Sequence, residues 1–249
     1  MTASLRLLLL AFVSATPLLA QSPDPRPSFE VATIKANTTG SDNHGSDSGL
    51  DQIVITNWPL GRFIMRAYNL QQKQVEGPDS LDRLFFDVNA KYPPGTKAPE
   101  RALMLQSLLD ERFAFKFHRE TKEMQAYALT PSKGGLKLKP VEGCTGADSS
   151  SDKDAGIIRL RLKCVSMEDI ATMLGNTLGD VAVDRTGLSA KYNLDIRFTL
   201  DDQPSSPDHE PVPSLFTALE ETAGLHLQRQ RVPVPIIVVD HIATTPTEN

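Results

Sequence analysis

The amino-acid sequence predicts an α+β fold made by tandem duplication, with helices packed on one face of mixed or antiparallel sheets. Two observations support this prediction. Each half of the chain shows the same succession of hydrophobic patterns, namely strand, helix, strand, strand, helix, strand, strand. In addition, residues 104–129 align without gaps on residues 214–239, at an offset of 110. Helices and strands in this mixed order are typical of layered α+β domains.

The similarity between the halves continues upstream at an offset of 107. There the matched apolar residues are Ile53 and Leu160, Ile55 and Leu162, and Phe63 and Ile170. Few of the aligned residues are identical, so a second interpretation stays open. Amphipathic helices followed by strands resemble one another even without common descent, because few such patterns exist.

Residues 1–20 are predicted to be a secretory signal peptide and not part of the fold. Arg6 gives a short positive region, residues 7–13 are uninterruptedly apolar, and Ala20 is the small residue expected before a cleavage site. Cleavage after Ala20 would place the protein in the periplasm or outside the cell. A short buried N-terminal helix is the alternative. We expect the proline-rich residues 21–28 to be disordered.

The first predicted subdomain comprises residues 29–140. It starts with strands at 29–34 and 52–56, which are separated by a flexible polar loop at 37–51. Asn57 is predicted to cap the helix that follows, because its side chain can accept a hydrogen bond from the first helical turn. Further along, a helix around Leu105 and Leu109 precedes strand 113–117.

Each half is predicted to end in a β-hairpin. In the first half, residues 119–123 form the polar turn, residues 125–130 the returning strand, and residues 136–139 a short edge strand. The glycine Gly224 can end its helix in a left-handed conformation, whereas Ala114 occupies the matching place in the first half. The first-half helix is therefore predicted to end differently.

The second predicted subdomain comprises residues 157–243, after a polar linker loop at 141–156 and before a C-terminal tail at 244–249. Its first helix is predicted to begin after Ser166, a good N-cap residue. Residues 201–213 are acidic and rich in proline and serine, which is typical of a loop.

The two cysteines, Cys144 and Cys164, predict a disulfide at the junction of the subdomains. Two cysteines in an exported protein most simply pair with each other. Their spacing differs from the C-x-x-C of reactive thiol pairs. Closing this loop would stabilise the fold by about 3 kcal/mol.

Composition and motifs argue against several classes of function. The net charge of −5 comes without a basic block, so no nucleic-acid partner is predicted, and no run after the signal peptide is long enough to cross a membrane. The five histidines form no metal-binding motif, so we predict neither a metal nor a cofactor.

No catalytic residue is predicted either. The pairs Asp184-Arg185 and Asp240-His241 lie at predicted strand ends, where such residues most often form turns or caps. The alternative is an exported hydrolase with its site near Asp184, Asp240 and His241. That alternative requires the three side chains to converge in one pocket.

An ordered series of short motifs extends over almost the whole chain after the signal peptide. It consists of FEVATIK, VEGP, FDVNAK, LLDERFAFKFHRETKE, VDRTGL, PSLFTALEE and VVDHI. The series resembles a secreted family of unknown function that is expanded in soil bacteria, notably Acidobacteria. The resemblance implies exported proteins that stand alone, or similar regions attached to membrane metallopeptidase sensor proteins, and it implies no catalytic residues. More distantly, the alternation is similar to the short α+β modules of secretins and TonB-dependent receptors.

The leading functional hypothesis is an exported, non-enzymatic module that binds a protein, peptide or glycan of the cell envelope. The cleft between the two repeats is the expected binding surface. A third hypothesis, suggested by the family resemblance, is an extracytoplasmic sensor domain acting with a membrane peptidase.

Overall fold

The computed structural model describes residues 26–154, 156–200 and 212–248. It confirms the α+β class, with helices and three sheets that are antiparallel or mixed. The predicted signal peptide and most of the loop at 201–213 lie outside the described residues. Residues 26–28 contact a helix of the first half: Arg26 pairs with Asp110 at 2.6 Å, and Ser107 donates a hydrogen bond to the Pro27 carbonyl. Residues 21–25 lie outside the described residues, so the disorder expected for 21–28 stays a prediction.

The first unit is an antiparallel sheet covered by helices. Its strand order is β1-β5-β3-β2, where β1 is Val31–Asn37, β2 is Gly45–Ser48, β3 is Gln52–Pro59 and β5 is Phe85–Lys91. The helices are α1 (Leu60–Tyr68), the short α2 (Ser80–Arg83) and α3 (Ala98–Phe113). Alternate strand residues and one face of α1 and α3 form a single buried apolar cluster.

The second unit repeats this plan with fewer elements. Its sheet has the order β10-β8-β7, where β7 is Asp148–Asp154, β8 is Ile157–Val165 and β10 is Tyr192–Thr199. Helix α4 (Met167–Leu178) follows β8, and α5 (Leu215–Ala218) continues into a π-helical segment, Leu219–Ala223. Ser166 caps α4 as predicted, since its hydroxyl accepts from the Asp169 amide. A second buried cluster fills this unit.

The third sheet joins the units, and it overturns the predicted hairpins. Residues 116–131 form one strand, β6 (Lys116–Pro131), and residues 225–241 form another, β11 (Leu225–His241). These two long strands pair with each other along their length, so the segment at 119–123 is no turn. The sequence of that segment, RETKE, contains none of the residues that favour tight turns. Residues 119–123 are polar because they are exposed to solvent within this two-stranded ribbon of β6 and β11.

Short strands complete the third sheet at both edges. Its order is β4-β11-β6-β9, where β4 is Val75–Glu76 and β9 is Ala182–Asp184. The first-half strand β4 thus pairs with second-half β11, and second-half β9 pairs with first-half β6. The ribbon also contributes to both cores, since Ile237 packs in the first unit and Leu129 in the second. Each unit is therefore completed by a strand from the other half.

The pairings of these edge strands correspond at the offsets seen in the sequence. Val75 pairs with Ile237, and Ala182 pairs with Tyr127. The offset of 107 carries Val75 to Ala182, and the offset of 110 carries Tyr127 to Ile237. The two halves thus occupy matching places around the ribbon, while their common descent stays a prediction.

Four local predictions were wrong. The loop at 37–51 contains β2, and the linker at 141–156 contains β7, because strands of Ser and Asp at a sheet edge show no apolar alternation. Residues 136–139 form no strand; the Lys137 amide instead donates to the Ala223 carbonyl. Asn57 does not cap α1, which starts at Leu60. Asn57 lies at an irregularity of β3 with a φ of 55°, and its backbone amide donates to Asp87 at 2.8 Å.

The ends of the matched helices are more alike than predicted. Gly224 takes the left-handed conformation, with a φ of 65°. Ala114, contrary to expectation, ends α3 in the same way, with a φ of 49° and a ψ of 40°. A Cβ atom makes this conformation unfavourable, so the first half keeps the geometry at a cost of about 1 kcal/mol.

The disulfide between Cys144 and Cys164 is present, with Cα atoms 5.7 Å apart. It fixes the segment before β7 to the end of β8, and both of those strands belong to the second unit. Among the helices that the structure describes, none has the length and apolar character needed to cross a membrane.

Candidate binding cleft between the two units

The candidate hydrolase residues do not meet. Asp184 pairs with Leu129 near one end of β6, whereas His241 pairs with Lys116 at the other end. Thirteen residues of extended strand separate these positions, which is about 40 Å along β6 at about 3.3 Å per residue. A catalytic site that combines Asp184 with Asp240 and His241 is therefore excluded.

Each acidic residue of those pairs has a local role. The Asp184 carboxylate accepts from the Thr186 amide at 2.8 Å, which is the predicted turn geometry. Asp240 contacts His118 at 2.8 Å, and Glu120 contacts the other ring nitrogen at 2.9 Å. The hydrogen bonds to Glu120, which has the larger effect, and to Asp240 both raise the pKa of His118. Within the described ranges, no group of three or more His, Cys, Asp or Glu side chains is arranged to hold a metal ion.

A cleft of about 780 Å³ lies between the two units, where α1 faces α4. Ligand pockets in proteins commonly have roughly 300–1,000 Å³, so the cleft has room for a small ligand. Its lining residues come from β3, α1 and α2 on one side, and from β8, α4 and the start of β7 on the other. It lies between the two halves of the chain, and whether it binds a ligand stays a prediction.

The two walls are built from matching positions. At the offset of 107, five pairs of lining residues correspond: Trp58 and Val165, Arg62 and Asp169, Met65 and Thr172, Arg66 and Met173, and Asn69 and Asn176. On each helix these residues have the spacing of one face, three or four residues apart. The opposite faces of α1 and α4 are buried in their own cores. Corresponding faces of α1 and α4 thus form the two sides of the cleft.

The α1 wall carries two arginines and a tryptophan. Arg62 and Arg66 are one helical turn apart and exposed, and neither forms an ion pair within the described part of the chain. The Arg62 guanidinium lies over the Trp58 ring, 4.2 Å from its centroid. Partial burial, which has the larger effect, and the positive charge of Arg66 both lower the pKa of Arg62. Like charges at this spacing destabilise a helix by about 0.2–0.5 kcal/mol.

Trp58 is itself unusual, because it is only 4% exposed and its indole N–H has no hydrogen-bond partner among the described residues. Buried polar groups are nearly always paired. On the α4 wall, by contrast, Asp169 accepts from the Ser166 amide at 2.9 Å and lies 3.6 Å from Lys191. Within the described residues, Arg62 and Arg66 of the α1 wall thus lack ion-pair partners, whereas Asp169 of the α4 wall has one.

Comparison with known proteins assigns the family. A model of a protein family described as "Protein of unknown function (DUF3738)" matches residues 61–242. The chain belongs to the DUF3738 family. No curated protein and no solved structure matches the chain. The DUF3738 match includes α1 from its second residue, α4 and both ribbon strands, whereas Trp58 lies just before it.

A polar junction holds the two halves of the DUF3738 region together behind the cleft. The Gln71 side chain donates to the Ala182 carbonyl at 2.8 Å and accepts from the Ala182 amide at 2.9 Å. The Asp180 carboxylate forms ion pairs with Lys73 at 2.8 Å and with Arg229 at 2.9 Å. Burial favours a higher pKa for Asp180, but hydrogen bonds from Lys73 and the Val181 amide outweigh it and lower the pKa. These contacts fix α1 relative to α4.

Sequence reasoning located the cleft region but not its residues. The arginines and Trp58 were not singled out, because single charges on a helix face are ordinarily solvated. One signal was available: the offset of 107 that matches Phe63 with Ile170 also places Arg62 and Arg66 opposite Asp169 and Met173. Matching helix faces with different chemistry in the two halves are what distinguishes these positions.

Proposed function

We propose that the protein is an exported, non-enzymatic binding module of the cell envelope, and that the cleft between α1 and α4 is its ligand site. The observation that carries this proposal is the α1 wall, where Arg62 and Arg66 are exposed beside Trp58 and lack polar partners within the described residues. Binding sites combine apolar walls with a few precisely placed polar groups.

The cleft also has a fixed shape. Gln71 connects the halves through buried hydrogen bonds and Asp180 through a partly buried ion pair, and the ribbon strands contribute to both cores. A preorganised cleft spends little binding free energy on ordering its walls. This supports a site that is ready for its ligand.

Export is part of the proposal. The predicted signal peptide directs the chain out of the cytoplasm, and the disulfide is the kind of bond that persists in oxidising compartments. The ligand would then be a component of the periplasm or the cell exterior.

A thermal-shift screen tests the proposal. Envelope-derived peptides, oligosaccharides and cell-wall fragments are added to the protein and to an Asn176→Trp variant, whose new ring would fill the cleft from the exposed end of α4. A ligand at a hundredfold excess over its Kd should stabilise the protein by about 2.7 kcal/mol. Glu168→Trp, an exposed α4 substitution outside the cleft lining, is the matched control. If no fragment stabilises the protein, or if Asn176→Trp responds as the control does, the proposal is wrong.

A further inference from the structure

We infer that the ligand is a peptide, with a carboxylate bound by Arg62 and Arg66 and an apolar side chain held between Met65 and Met173. This inference rests on the proposed function, because it names the ligand class of the same cleft. It is carried by the charge of the α1 wall and the mixed lining of the cleft.

The arginine pair is suited to a carboxylate. Arg62 and Arg66 project from successive turns of α1 into the cleft lining, and no acidic side chain of the described residues forms an ion pair with either. Guanidinium groups bind carboxylates through two parallel N–H donors, in a geometry that ammonium groups do not offer. A bound carboxylate would also relieve the repulsion between the two neighbouring positive charges.

Trp58 positions Arg62. Its ring lies 4.2 Å below the Arg62 guanidinium, which holds that group at the cleft wall. The indole nitrogen itself is buried, so it is not open to a ligand. A ligand carboxylate would therefore meet an arginine that the ring beneath it already holds in place.

The remainder of the lining favours a peptide over an acidic polysaccharide. Met65 and Met173 are half-buried on opposite walls, and methionine adapts to apolar side chains of different shapes. Asp82, Asp148 and Asp169 also border the cleft. A polyanionic glycan would bring repeated negative charges close to these carboxylates, and it has no apolar side chain for the methionines. A peptide with one carboxylate avoids that repulsion.

A second groove is less suited to this role. It has a volume of about 540 Å³ and contains Arg26, Tyr68, Phe117 and Arg119. Arg26 is already paired with Asp110 at 2.6 Å. The Arg119 guanidinium lies 5.8 Å from the Phe117 ring centroid, a longer contact than that of Arg62 with Trp58. This groove serves as the comparison site in the test.

The test uses two libraries of random hexapeptides. One carries free carboxylates; in the other the C-terminus is amidated and Asp and Glu are replaced by Asn and Gln. Peptides retained by the immobilised protein are identified by mass spectrometry, and their Kd values are measured by calorimetry. We expect binding from the first library, and at least a tenfold weaker Kd for the neutral counterpart of each retained peptide. No binding below 1 mM, or equal binding of both forms, would overturn the inference.

The variants locate the site. Arg62→Gln with Arg66→Gln should weaken peptide binding at least tenfold. Arg197→Gln with Arg231→Gln removes the same charge from exposed positions outside the cleft and should leave the Kd unchanged. Equal loss in both pairs would contradict a specific carboxylate site. Binding of oligogalacturonate that depends on Arg62 and Arg66, without any peptide binding, would overturn the peptide assignment but retain the cleft as a ligand site.

Discussion

The α1 wall and the α4 wall occupy matching places in the two halves, yet their exposed faces differ in chemistry. Toward their cores, both helices present apolar residues: Leu60, Phe63, Ile64 and Ala67 correspond to Met167, Ile170, Ala171 and Leu174. Toward the cleft, Arg62 and Arg66 correspond to Asp169 and Met173. Core positions are constrained by packing, whereas cleft positions are free to differ. The comparison therefore separates residues that maintain the fold from residues available for recognition.

The same contrast appears at the helix ends, where Gly224 and Ala114 share a left-handed conformation. Gly224→Ala is expected to give one of the two largest effects, lowering the free energy of unfolding by about 3 kcal/mol as measured by urea denaturation. The left-handed backbone conformation is strained for alanine, and the new Cβ atom would lie 2.1 Å from the Gly135 carbonyl oxygen. Gly179→Ala is the control, since it has a φ of 67° but no atom within 4 Å of the new Cβ. If both variants lose the same stability, the close packing around Gly224 has no energetic role.

The disulfide distinguishes the second unit from the first. Replacing Cys144 and Cys164 by serine should lower the free energy of unfolding by about 3 kcal/mol, because the unfolded chain regains the freedom of the closed loop. Hydrogen exchange should increase in β7 and β8, which adjoin the bridge, and stay unchanged in the matching strands β2 and β3. An equal increase in all four strands would show that the units unfold together.

The junction between the halves is expected to depend on pH through Asp180. Asp180→Asn should destabilise the protein by about 1–2 kcal/mol at pH 7, because it weakens the contacts with Lys73 and Arg229. The folded-state pKa of Asp180 is lowered, so its stabilisation is present above the unfolded-state pKa and is lost as the pH falls through the folded-state pKa. Unfolding curves of the two proteins should converge in acid. A difference that persists unchanged at low pH would contradict this role.

The smallest expected effect is a gain in stability. Ala114→Gly should raise the free energy of unfolding by about 0.5 kcal/mol, because glycine removes the left-handed strain but gains freedom in the unfolded chain. Ala114 is exposed, so no packing is lost. Ala102→Gly, within α3, is the matched control and should lower the stability by about 1 kcal/mol. If Ala114→Gly is also destabilising, the strain assigned to Ala114 is absent.

The sequence predicted those features of the fold that leave a local signal, such as hydrophobic periodicity or a characteristic residue type. The α+β class, the Ser166 cap and the Cys144–Cys164 bridge were predicted and are confirmed. The predicted hairpins were wrong, because the turn at 119–123 was inferred from polarity alone, and exposed residues of a long strand are polar as well. Pro233 and Pro235 are accommodated within β11, since two prolines two residues apart leave their missing N–H groups on one side of the strand.

The cleft could be placed between the repeats but not resolved into residues. Long-range pairing determines which helix faces meet, and the exchange of β4 and β9 between the halves has no local signature. Nothing in the sequence near Trp58 indicates that its indole N–H would be buried without a partner among the described residues. The position of Arg62 and Arg66 on a cleft wall becomes visible only when the two walls are seen together.

The most direct test of the binding cleft uses the only tryptophan of the sequence. In an ¹⁵N-labelled sample, Trp58 gives a single indole N–H resonance, which can be followed while a retained hexapeptide with a free carboxylate is added. The account predicts a saturable shift of this resonance, accompanied by shifts of the α1 and α4 amides at the cleft. An indole resonance that does not move, while amides around Tyr68 and Phe117 shift, would contradict it.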